Sequence, residues 1–319
     1  MQTEAIDFEQ AAARIAGHVR RTPLVPVAPE SPFPNLWFKP ECLQVSGSFK
    51  ARGAFNSALC VPEAERARGL VTASGGNFGA ALALVAGRLG VDADIVVMEQ
   101  STAHARRRVR AFGGRLHVRG FHWDESWDVA EQLARANGAT LLHPFATADV
   151  IAGQGTIGLE ILEDLPDVDT VVVSIGGGGL IAGIASAIKA RRPGVRIVGV
   201  ETVGCPTLTA SLDAGRVVKL EKIDTRVAIL GARTTAQINL DMIRAHVDEI
   251  VLVQEDRPEP AARWVWERTG LAVELGAATA VSAVLDGATA FEPDERIAVV
   301  LCGSGDDGIR QAGADAGDA

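Results

Sequence analysis

Lysine is scarce in this sequence, where it supplies only five of the 31 lysine and arginine residues. A primary amine can form a Schiff base with an aldehyde and a guanidinium group cannot, so each lysine is a candidate nucleophile. Lys50 follows Phe49, which offers a flat aromatic face. The small residues 46–48 before them would let a ligand approach the backbone closely. The segment therefore indicates a catalytic or cofactor-binding lysine, with an ordinary surface lysine as the simpler alternative.

Four consecutive glycines, residues 176–179, follow an apolar run and precede a helical segment. Consecutive glycines expose backbone N–H groups, and a helix start adds partial positive charge, so this arrangement suits a phosphate group. Close packing of a helix against a strand is the structural alternative. A dinucleotide site is a second alternative, supported by Glu201 at the end of the next strand. The G-x-G-x-x-G fingerprint fails, however, because Ile181 occupies its third glycine position.

Two further polar loops also follow short apolar runs. The first contains Ser74 and Asn77, which could bind a carboxylate at a helix N-terminus. A helix cap without any ligand would look the same. The second lies within residues 299–307, at the end of an apolar run late in the chain, and contains Cys302 and Ser304. Either residue could offer a neutral S–H or O–H group. A small buried residue followed by a turn is the alternative there.

Five apolar runs rich in β-branched residues alternate with alanine-rich segments. They are residues 95–97, 171–173, 197–200, 250–253 and 297–301. Strands that are apolar at every position are buried on both faces, which is typical of a mainly parallel sheet covered by helices. Helices are predicted between them, for example over residues 79–89 and 180–191. The pattern predicts an α/β fold of the doubly wound type, in which ligands bind at the carboxyl ends of the strands.

The composition is that of a globular protein, with 47% hydrophobic and 22% charged residues. The formal net charge of −9 argues against nucleic acid or an anionic membrane as a partner, because both require a basic surface. Arginines 106–108 predict a charged, solvated helix face. The uncharged stretch 170–188 is interrupted by glycines, so a buried strand and helix explain it better than a membrane span.

The four cysteines Cys42, Cys60, Cys205 and Cys302 lie far apart in the sequence and form no C-x-x-C pair. Reduced thiols in a cytoplasmic protein are therefore expected, without a disulfide framework or a zinc site. Residues 1–10 lack an apolar core, so no secretion signal is predicted.

Four motifs, taken in their order along the chain, resemble those of fold-type II pyridoxal-phosphate enzymes. They are residues 46–54, 74–77, 151–160 and 176–179. Together they are similar to the threonine/serine dehydratase and serine racemase family, and the likeness extends from about residue 20 to residue 307. The resemblance implies a two-domain, tryptophan synthase β-like fold with mainly parallel sheets covered by helices on both faces. Residues 1–52 and 147–319 would form a large cofactor-binding domain, and residues 53–146 a small mobile domain.

The resemblance also implies pyridoxal 5'-phosphate as the cofactor and a role for each matching residue. Lys50 would bind the cofactor covalently and then remove the proton from the substrate Cα. The other cofactor-binding residues would be Phe49, Asn77, Gly176, Gly177, Gly178, Gly179, Leu180, Glu274 and Cys302. The residues facing the substrate carboxylate would be Ser74, Gly75, Gly76 and Asn77. Cys302 matches the position at the pyridine nitrogen, with Ser304, further along than expected, as the alternative.

The implied reaction is the elimination of water from L-threonine, L-serine or a related β-hydroxy amino acid, which yields a 2-oxo acid and ammonia. Gly75 stands where racemases keep a serine as a second proton donor, which favours elimination over racemisation. An amino-acid racemase or a β-replacement synthase on the same fold remains an alternative, as does a non-catalytic ligand-binding protein. A small amino acid is the expected partner, and relatives lead us to expect a homodimer or homotetramer.

Several other positions depart from the commonest pattern of the family. Phe78 replaces a frequent histidine and Gly305 a frequent asparagine, both beside the inferred pocket. Relatives that bind a cation use a glutamate and a nearby aspartate. Glu201 is present here, but residues 202–207 contain no acid, so no metal site is predicted.

Overall fold

The structure, a computed structural model, describes residues 6–27 and 33–309. Contacts between residues divide it into two compact units. The first unit comprises the described residues of Met1–Arg21 and Gln44–Leu159, and the second those of Thr22–Leu43 and Glu160–Ala319. Residues 1–5, half of the segment in which no secretion signal is predicted, lie outside the described residues.

Twelve α-helices and ten β-strands are formed by the described residues. The helices are α1 (Phe8–Ile15), α2 (Lys50–Cys60), α3 (Glu63–Arg66), α4 (Asn77–Leu89), α5 (Ala103–Ala111), α6 (Trp123–Asn137), α7 (Ala148–Asp164), α8 (Gly179–Arg191), α9 (Thr207–Asp213), α10 (Gln237–His246), α11 (Pro258–Thr269) and α12 (Leu275–Leu285). The strands are β1 (Val25–Pro26), β2 (Leu36–Lys39), β3 (Leu70–Ala73), β4 (Ala93–Val97), β5 (Arg115–Val118), β6 (Thr140–Leu141), β7 (Thr170–Ser174), β8 (Arg196–Thr202), β9 (Glu249–Val253) and β10 (Ile297–Val300).

The first unit is built on a four-stranded parallel sheet with the order β5-β4-β3-β6. Leu70 and Ile95 point to one face of this sheet and pack with residues of α4. Their neighbours Val71 and Val96 point to the other face and pack with Ala130 of α6. Because alternate residues of a strand face opposite sides of a sheet, α4 and α6 cover the two faces. This is the helix-covered parallel sheet that the sequence predicts.

The second unit is built on a six-stranded sheet with the order β1-β2-β10-β7-β8-β9, in which β1 and β2 pair antiparallel and the other neighbours pair parallel. Every residue of β7 and β10 is buried, which requires cover on both faces. Helices α8 and α12 supply part of that cover on β7. Strand β9 lies at the sheet edge, where Leu252 is 40% exposed. The prediction that residues 250–253 are buried on both faces was therefore wrong.

The candidate loops follow the carboxyl ends of parallel strands. Residues 74–76 lie between β3 and α4 in the first unit. In the second unit, residues 175–178 lie between β7 and α8, and residues 301–305 follow β10. Because β7 and β10 are parallel neighbours, the last two loops leave the same edge of one sheet.

All five predicted strands are present, and each observed end lies within two residues of the predicted one. The two predicted helices correspond to α4 and α8. The compact units group residues 44–52 and 147–159 with residues 53–146. Since contacts do not show which residues move together, the small mobile domain over residues 53–146 stays a prediction. None of the helices in the described part of the chain combines the length and apolar character that a membrane span requires.

Candidate active site

Lys50 is the first residue of α2, and its amine is held within the first unit by a backbone carbonyl. Nζ of Lys50 donates a hydrogen bond to the carbonyl oxygen of Pro144 over 2.8 Å. The same nitrogen lies 4.9 Å from the ring centre of Phe49 and 5.8 Å from that of Phe78. Aromatic faces attract a cationic amine, and the rings shield it from water. The half-buried amine is thus oriented by an acceptor and two rings, which an ordinary surface lysine lacks.

The turn that carries the Pro144 carbonyl is fixed by the histidine before it. Nδ1 of His143 accepts hydrogen bonds from the backbone N–H groups of Phe145 (3.2 Å) and Ala146 (3.0 Å). Burial, followed by the positive charge of Lys50, lowers the pKa of His143 to about 4. A neutral imidazole can accept at Nδ1, whereas a protonated ring cannot. Sequence reasoning missed this residue, because a lone histidine before a proline has no recognisable spacing.

An aromatic cluster encloses the His143 ring. The ring centres of Trp123, Trp127 and Phe145 lie 5.7, 5.0 and 4.7 Å from that of His143. Nε1 of Trp123 also donates a hydrogen bond to the Ala73 carbonyl at the end of β3, over 3.1 Å. The cluster therefore ties the turn beside Lys50 to the strand that leads into the loop of residues 74–76.

The predicted carboxylate-binding loop is folded tightly over the start of α4. The backbone N–H of Gly76 donates to the Ser74 hydroxyl over 3.4 Å. Gly76 is also the N-cap residue, and it has no side chain to satisfy the first N–H groups of the helix. A Cβ atom on Gly79 would lie 2.1 Å from the Ser74 carbonyl oxygen, so this approach requires glycine. The helix start before Asn77 therefore presents N–H groups that suit an anion.

Arg108 reaches this loop from α5. Its Nη1 donates to Oδ1 of Asn77 over 2.8 Å, and its Nη2 donates to the Ser46 carbonyl oxygen over 2.6 Å. The prediction that residues 106–108 form a solvated face was therefore wrong for Arg108, which is half-buried, while Arg107 is exposed. The sequence does not reveal these two contacts, because Asn77 and Ser46 are distant from Arg108 along the chain.

In the second unit, the glycine tetrad connects β7 to α8. Gly178 has a φ of +92°, a left-handed conformation that favours glycine. The Gly177 carbonyl oxygen accepts hydrogen bonds from Oγ1 of Thr235 (3.0 Å) and Nδ2 of Asn239 (2.8 Å). Because the C=O and N–H of a trans peptide point in opposite directions, the N–H of Gly178 points away from Asn239. With glycine at the N-cap, the N–H groups at the start of α8 suit a phosphate.

Cys302 is buried just after β10, and its thiol lies 3.8 Å from Oε1 of Glu274. Burial, followed by the Glu274 carboxylate, raises the pKa of this thiol well above its ordinary value, so the thiol is neutral at pH 7. A Cβ atom on Gly303 would lie 2.2 Å from Oε1 of Glu274, and one on Gly305 would lie 2.7 Å from Cα of Glu274. Glycine at position 305 is thus required by the close approach of Glu274. Ser304 is half-buried.

Glu201 serves as a cap for α9. Its carboxylate accepts hydrogen bonds from the backbone N–H groups of Leu208 (2.8 Å) and Thr209 (2.9 Å) and from the Thr209 hydroxyl (2.7 Å). Burial raises the pKa of Glu201, and these hydrogen bonds oppose that effect. Across residues 6–27 and 33–309, no group of three or more His, Cys, Asp and Glu side chains could hold a metal ion.

The predicted site residues fall into two sets. The set in the first unit is Phe49, Lys50, Ser74, Gly75, Gly76 and Asn77. The set in the second unit is Gly176, Gly177, Gly178, Gly179, Leu180, Glu274 and Cys302. Within the first unit, Arg108 connects the two segments of its set, because it bonds to Asn77 and to the backbone just before Lys50.

Comparisons with known proteins give consistent matches. The profile of a family described as pyridoxal-phosphate dependent enzyme matches residues 15–303. An L-threonine ammonia-lyase of Thermotoga maritima is 36% identical over 299 residues, covering 93% of this chain and 74% of that protein. The structure of a threonine deaminase from T.th. matches with a TM-score of 0.88 and 34% identity, covering 95% of this chain and 98% of that one. The maize serine racemase structure matches with a TM-score of 0.89 and 32% identity, covering 93% and 92%.

Proposed function

Because this chain belongs to the family of pyridoxal-phosphate-dependent enzymes, we propose that it is an ammonia-lyase that dehydrates L-threonine, L-serine or a related β-hydroxy amino acid. The products are a 2-oxo acid and ammonia. The observation that carries the proposal is the half-buried Lys50 amine, held by the Pro144 carbonyl beside two aromatic rings. The L-threonine ammonia-lyase relatives supply the reaction class.

Each unit offers residues that fit one group of pyridoxal 5'-phosphate, the phosphate in the second unit and the aldehyde in the first. The glycine tetrad offers backbone N–H groups at a helix start, which is the donor set that a phosphate prefers. Lys50 offers a primary amine in a partly desolvated setting. When bound, the cofactor withdraws electrons from the amino acid, so that the substrate Cα–H becomes acidic.

Lys50 has two tasks in the proposed reaction, and both use Nζ. It would hold the cofactor covalently, and as a free amine it would take the proton from the substrate Cα. The Pro144 carbonyl accepts one N–H of this amine and so restricts the direction of its lone pair. The rings of Phe49 and Phe78 shield part of the same nitrogen from water.

Substrate and cofactor anions are assigned to the two helix starts. In the first unit, the loop of residues 74–76 and the Asn77 amide would bind the substrate carboxylate, and Asn77 would also donate to the 3-oxygen of the cofactor ring. In the second unit, residues 176–180 would bind the phosphate. Both sets present N–H donors without a side-chain cap at the N-cap glycine, which supports this assignment.

Two features favour elimination over racemisation. The buried thiol of Cys302 is neutral, so a pyridine nitrogen beside it would stay unprotonated and the ring would withdraw electrons less strongly. This setting would favour loss of the β-hydroxyl as water, with a proton that the bound phosphate would supply, over the return of a proton to Cα. Gly75 has no side chain and so supplies no second proton donor.

Three further properties belong to this proposal. Residues 53–146 move as a small domain during turnover. The chain assembles as a homodimer or homotetramer. It works in the cytoplasm, an assignment supported by four cysteines that all carry free thiols in the structure.

A panel of β-hydroxy amino acids tests the proposed function. We expect the cofactor-loaded protein to release 2-oxo acid and ammonia in equal amounts from L-threonine or L-serine. Lys50→Ala lowers this rate by a factor of about 10³ or more, because the reacting amine is lost. Lys222→Ala is the matched control, since the Lys222 side chain is 79% exposed, and it should leave the rate unchanged.

Two outcomes of this assay would contradict the proposal. Formation of a D-amino acid without 2-oxo acid, detected by chiral chromatography, would assign the chain to the racemases. Binding of amino acids that is equal in the wild type and Lys50→Ala, with no turnover of any substrate, would identify a ligand-binding protein.

A further inference from the structure

Arg108 is a half-buried charged side chain that the proposed function leaves without a role. It projects from α5 and donates to Oδ1 of Asn77 and to the Ser46 carbonyl oxygen, over 2.8 and 2.6 Å. Both acceptors are neutral oxygens, so these two hydrogen bonds do not form an ion pair. Asn77 itself is only 4% exposed, which restricts how its amide can turn.

The contact with Arg108 settles which end of the Asn77 amide faces the guanidinium. An asparagine side chain has one accepting end, Oδ1, and one donating end, Nδ2, whereas arginine has only donors. Oδ1 therefore faces Arg108, and Nδ2, on the other branch of the planar amide, points in a different direction. The ligand groups assigned to Asn77, a carboxylate and a ring oxygen, are both acceptors, so only this orientation can bond them.

The same guanidinium also links the two segments that the reaction requires. Its Nη2 group holds the backbone at Ser46, four residues before Lys50, while Nη1 holds Asn77 at the start of α4. A planar guanidinium makes both bonds in a fixed geometry, which a lysine ammonium cannot reproduce. Its charge further raises the positive potential beside the loop of residues 74–76.

We propose that Arg108 is a specificity-determining positioning residue, which fixes the Asn77 amide with its N–H₂ end toward the ligand and so selects substrates that carry a carboxylate. This inference rests on the proposed function, because it assigns Arg108 to the carboxylate side of that substrate site. Arg108 acts through Asn77 and does not itself touch the reacting atoms.

Three variants of the cofactor-loaded full chain test the role of Arg108. Arg108→Met removes the charge and both hydrogen bonds while keeping the aliphatic stem, and Arg108→Lys keeps the charge but cannot make both bonds. Arg107→Met is the matched control, because Arg107 is exposed on the same helix. The measured quantities are KM and kcat for L-threonine, inhibition by 3-hydroxybutyrate, and the pH midpoint of the visible absorption of the bound cofactor.

We expect Arg108→Met to raise KM for L-threonine by roughly tenfold or more, the effect of losing an oriented hydrogen bond to a charged group. The inhibition constant of 3-hydroxybutyrate, which has the carboxylate but no amine, should rise by a similar factor, while kcat falls less. The pH midpoint of the absorption should also rise, because a donor to the ring oxygen stabilises its anion. In Arg108→Lys, KM should return part of the way to the wild-type value, but the pH midpoint should stay raised. Arg107→Met should match the wild type in all of these quantities.

A purely structural role would lower the melting temperature of Arg108→Met but leave KM, the inhibition constant and the pH midpoint equal to those of Arg107→Met. That result would overturn the inference. If Arg108→Met fails to fold, an unshifted midpoint in Arg108→Lys overturns it equally. Failure of the proposed function is distinguishable, because the wild type would then release no 2-oxo acid while the absorption midpoint still reports on Arg108.

Discussion

At the scale of single residues, the direction of the Lys50 amine depends on a turn that the His143 ring holds in place. Nδ1 of His143 accepts hydrogen bonds from two backbone N–H groups, those of Phe145 and Ala146, and the Pro144 carbonyl just before them accepts a hydrogen bond from Nζ of Lys50. An asparagine can make the same type of turn through Oδ1, whereas leucine cannot. We therefore expect the reaction to depend on a hydrogen-bond acceptor in the side chain at position 143, whether an imidazole or an amide provides it.

Variants at position 143 test the acceptor. We expect His143→Leu to lower kcat up to about 100-fold, because a displacement of about 1 Å in a reacting group has this effect. His143→Asn should keep most of the activity at pH 8, where wild-type His143 is neutral. Equal losses of kcat in both variants would show that the acceptor is unimportant.

The depressed pKa of His143 also makes stability depend on pH. As the pH falls, the unfolded chain takes up this proton near 6.5, whereas the folded chain takes it up only near 4. The stabilisation is therefore complete above about pH 7 and is lost between about pH 6.5 and pH 4. Between pH 7 and pH 5, the wild type should lose about 2 kcal/mol more unfolding free energy than His143→Asn in urea titrations. Identical losses in the two proteins would contradict this assignment.

The site residues that could be predicted from the sequence are those that lie in short local motifs. Lys50 and the glycine tetrad lie in short motifs whose residue types already indicate a nucleophile and a phosphate site. Arg108 and His143 act through tertiary contacts. Arg108 bonds a residue 31 positions away, and the carbonyl that His143 orients belongs to a residue 94 positions from Lys50.

At the scale of elements, the start of α4 illustrates how one glycine permits a binding loop. A Cβ atom on Gly79 would lie 2.1 Å from the Ser74 carbonyl oxygen and 2.9 Å from Cγ2 of Ile95. Gly87, in the same helix, has its nearest such neighbour at 3.5 Å, which is ordinary contact. The two glycines therefore form a matched pair for substitution by alanine.

We expect Gly79→Ala to reduce the unfolding free energy by about 1–3 kcal/mol, the usual effect of overpacking, and to weaken substrate binding because the loop at Ser74 is displaced. Gly87→Ala should instead add about 0.5–1 kcal/mol, since alanine favours the helix. Urea unfolding and KM for L-threonine are the measurements. Equal stabilities of the two variants would contradict the close approach at Gly79.

The buried strands could be predicted because runs of β-branched residues without charges require cover on both faces. The pattern does not distinguish an edge strand, and β9 was wrongly expected to be buried although Leu252 is 40% exposed. Short elements such as β1 and β6 span two residues each and carry no periodicity. Their pairing is decided by neighbours that are distant along the chain.

At the scale of the whole molecule, a buried ion pair anchors the second unit. Nζ of Lys39, on β2, lies 2.6 Å from the Glu160 carboxylate and 2.6 Å from the Thr22 carbonyl oxygen. The Lys39 side chain is fully buried. Removing one member of a buried pair leaves the other charge without compensation, whereas a fully exposed pair contributes little.

Lys39→Met should therefore lower the unfolding free energy by about 3–5 kcal/mol. Lys222→Met is the control, because the pair of Lys222 with Asp224 is 79% and 82% exposed, and it should change stability by less than about 0.5 kcal/mol. Denaturant unfolding measures both. A Lys39→Met protein as stable as the wild type would contradict the buried pair.

The division of the chain into moving bodies is the part of the architecture that stays a prediction. The family resemblance implies a small mobile domain over residues 53–146. Contacts between residues place residues 44–52 and 147–159 in the same compact unit as that segment. Motion is a property of an ensemble, so neither local sequence pattern nor contact density determines its boundaries.

The most direct test of the central claim is to locate the cofactor on the chain. The protein is loaded with pyridoxal 5'-phosphate, reduced with borohydride, digested and mapped by mass spectrometry. We predict a single adduct, on the peptide that contains Lys50, because its amine is partly accessible while Lys39 is buried in an ion pair. An adduct on Lys39, or a protein that stays colourless and unmodified, would contradict the account.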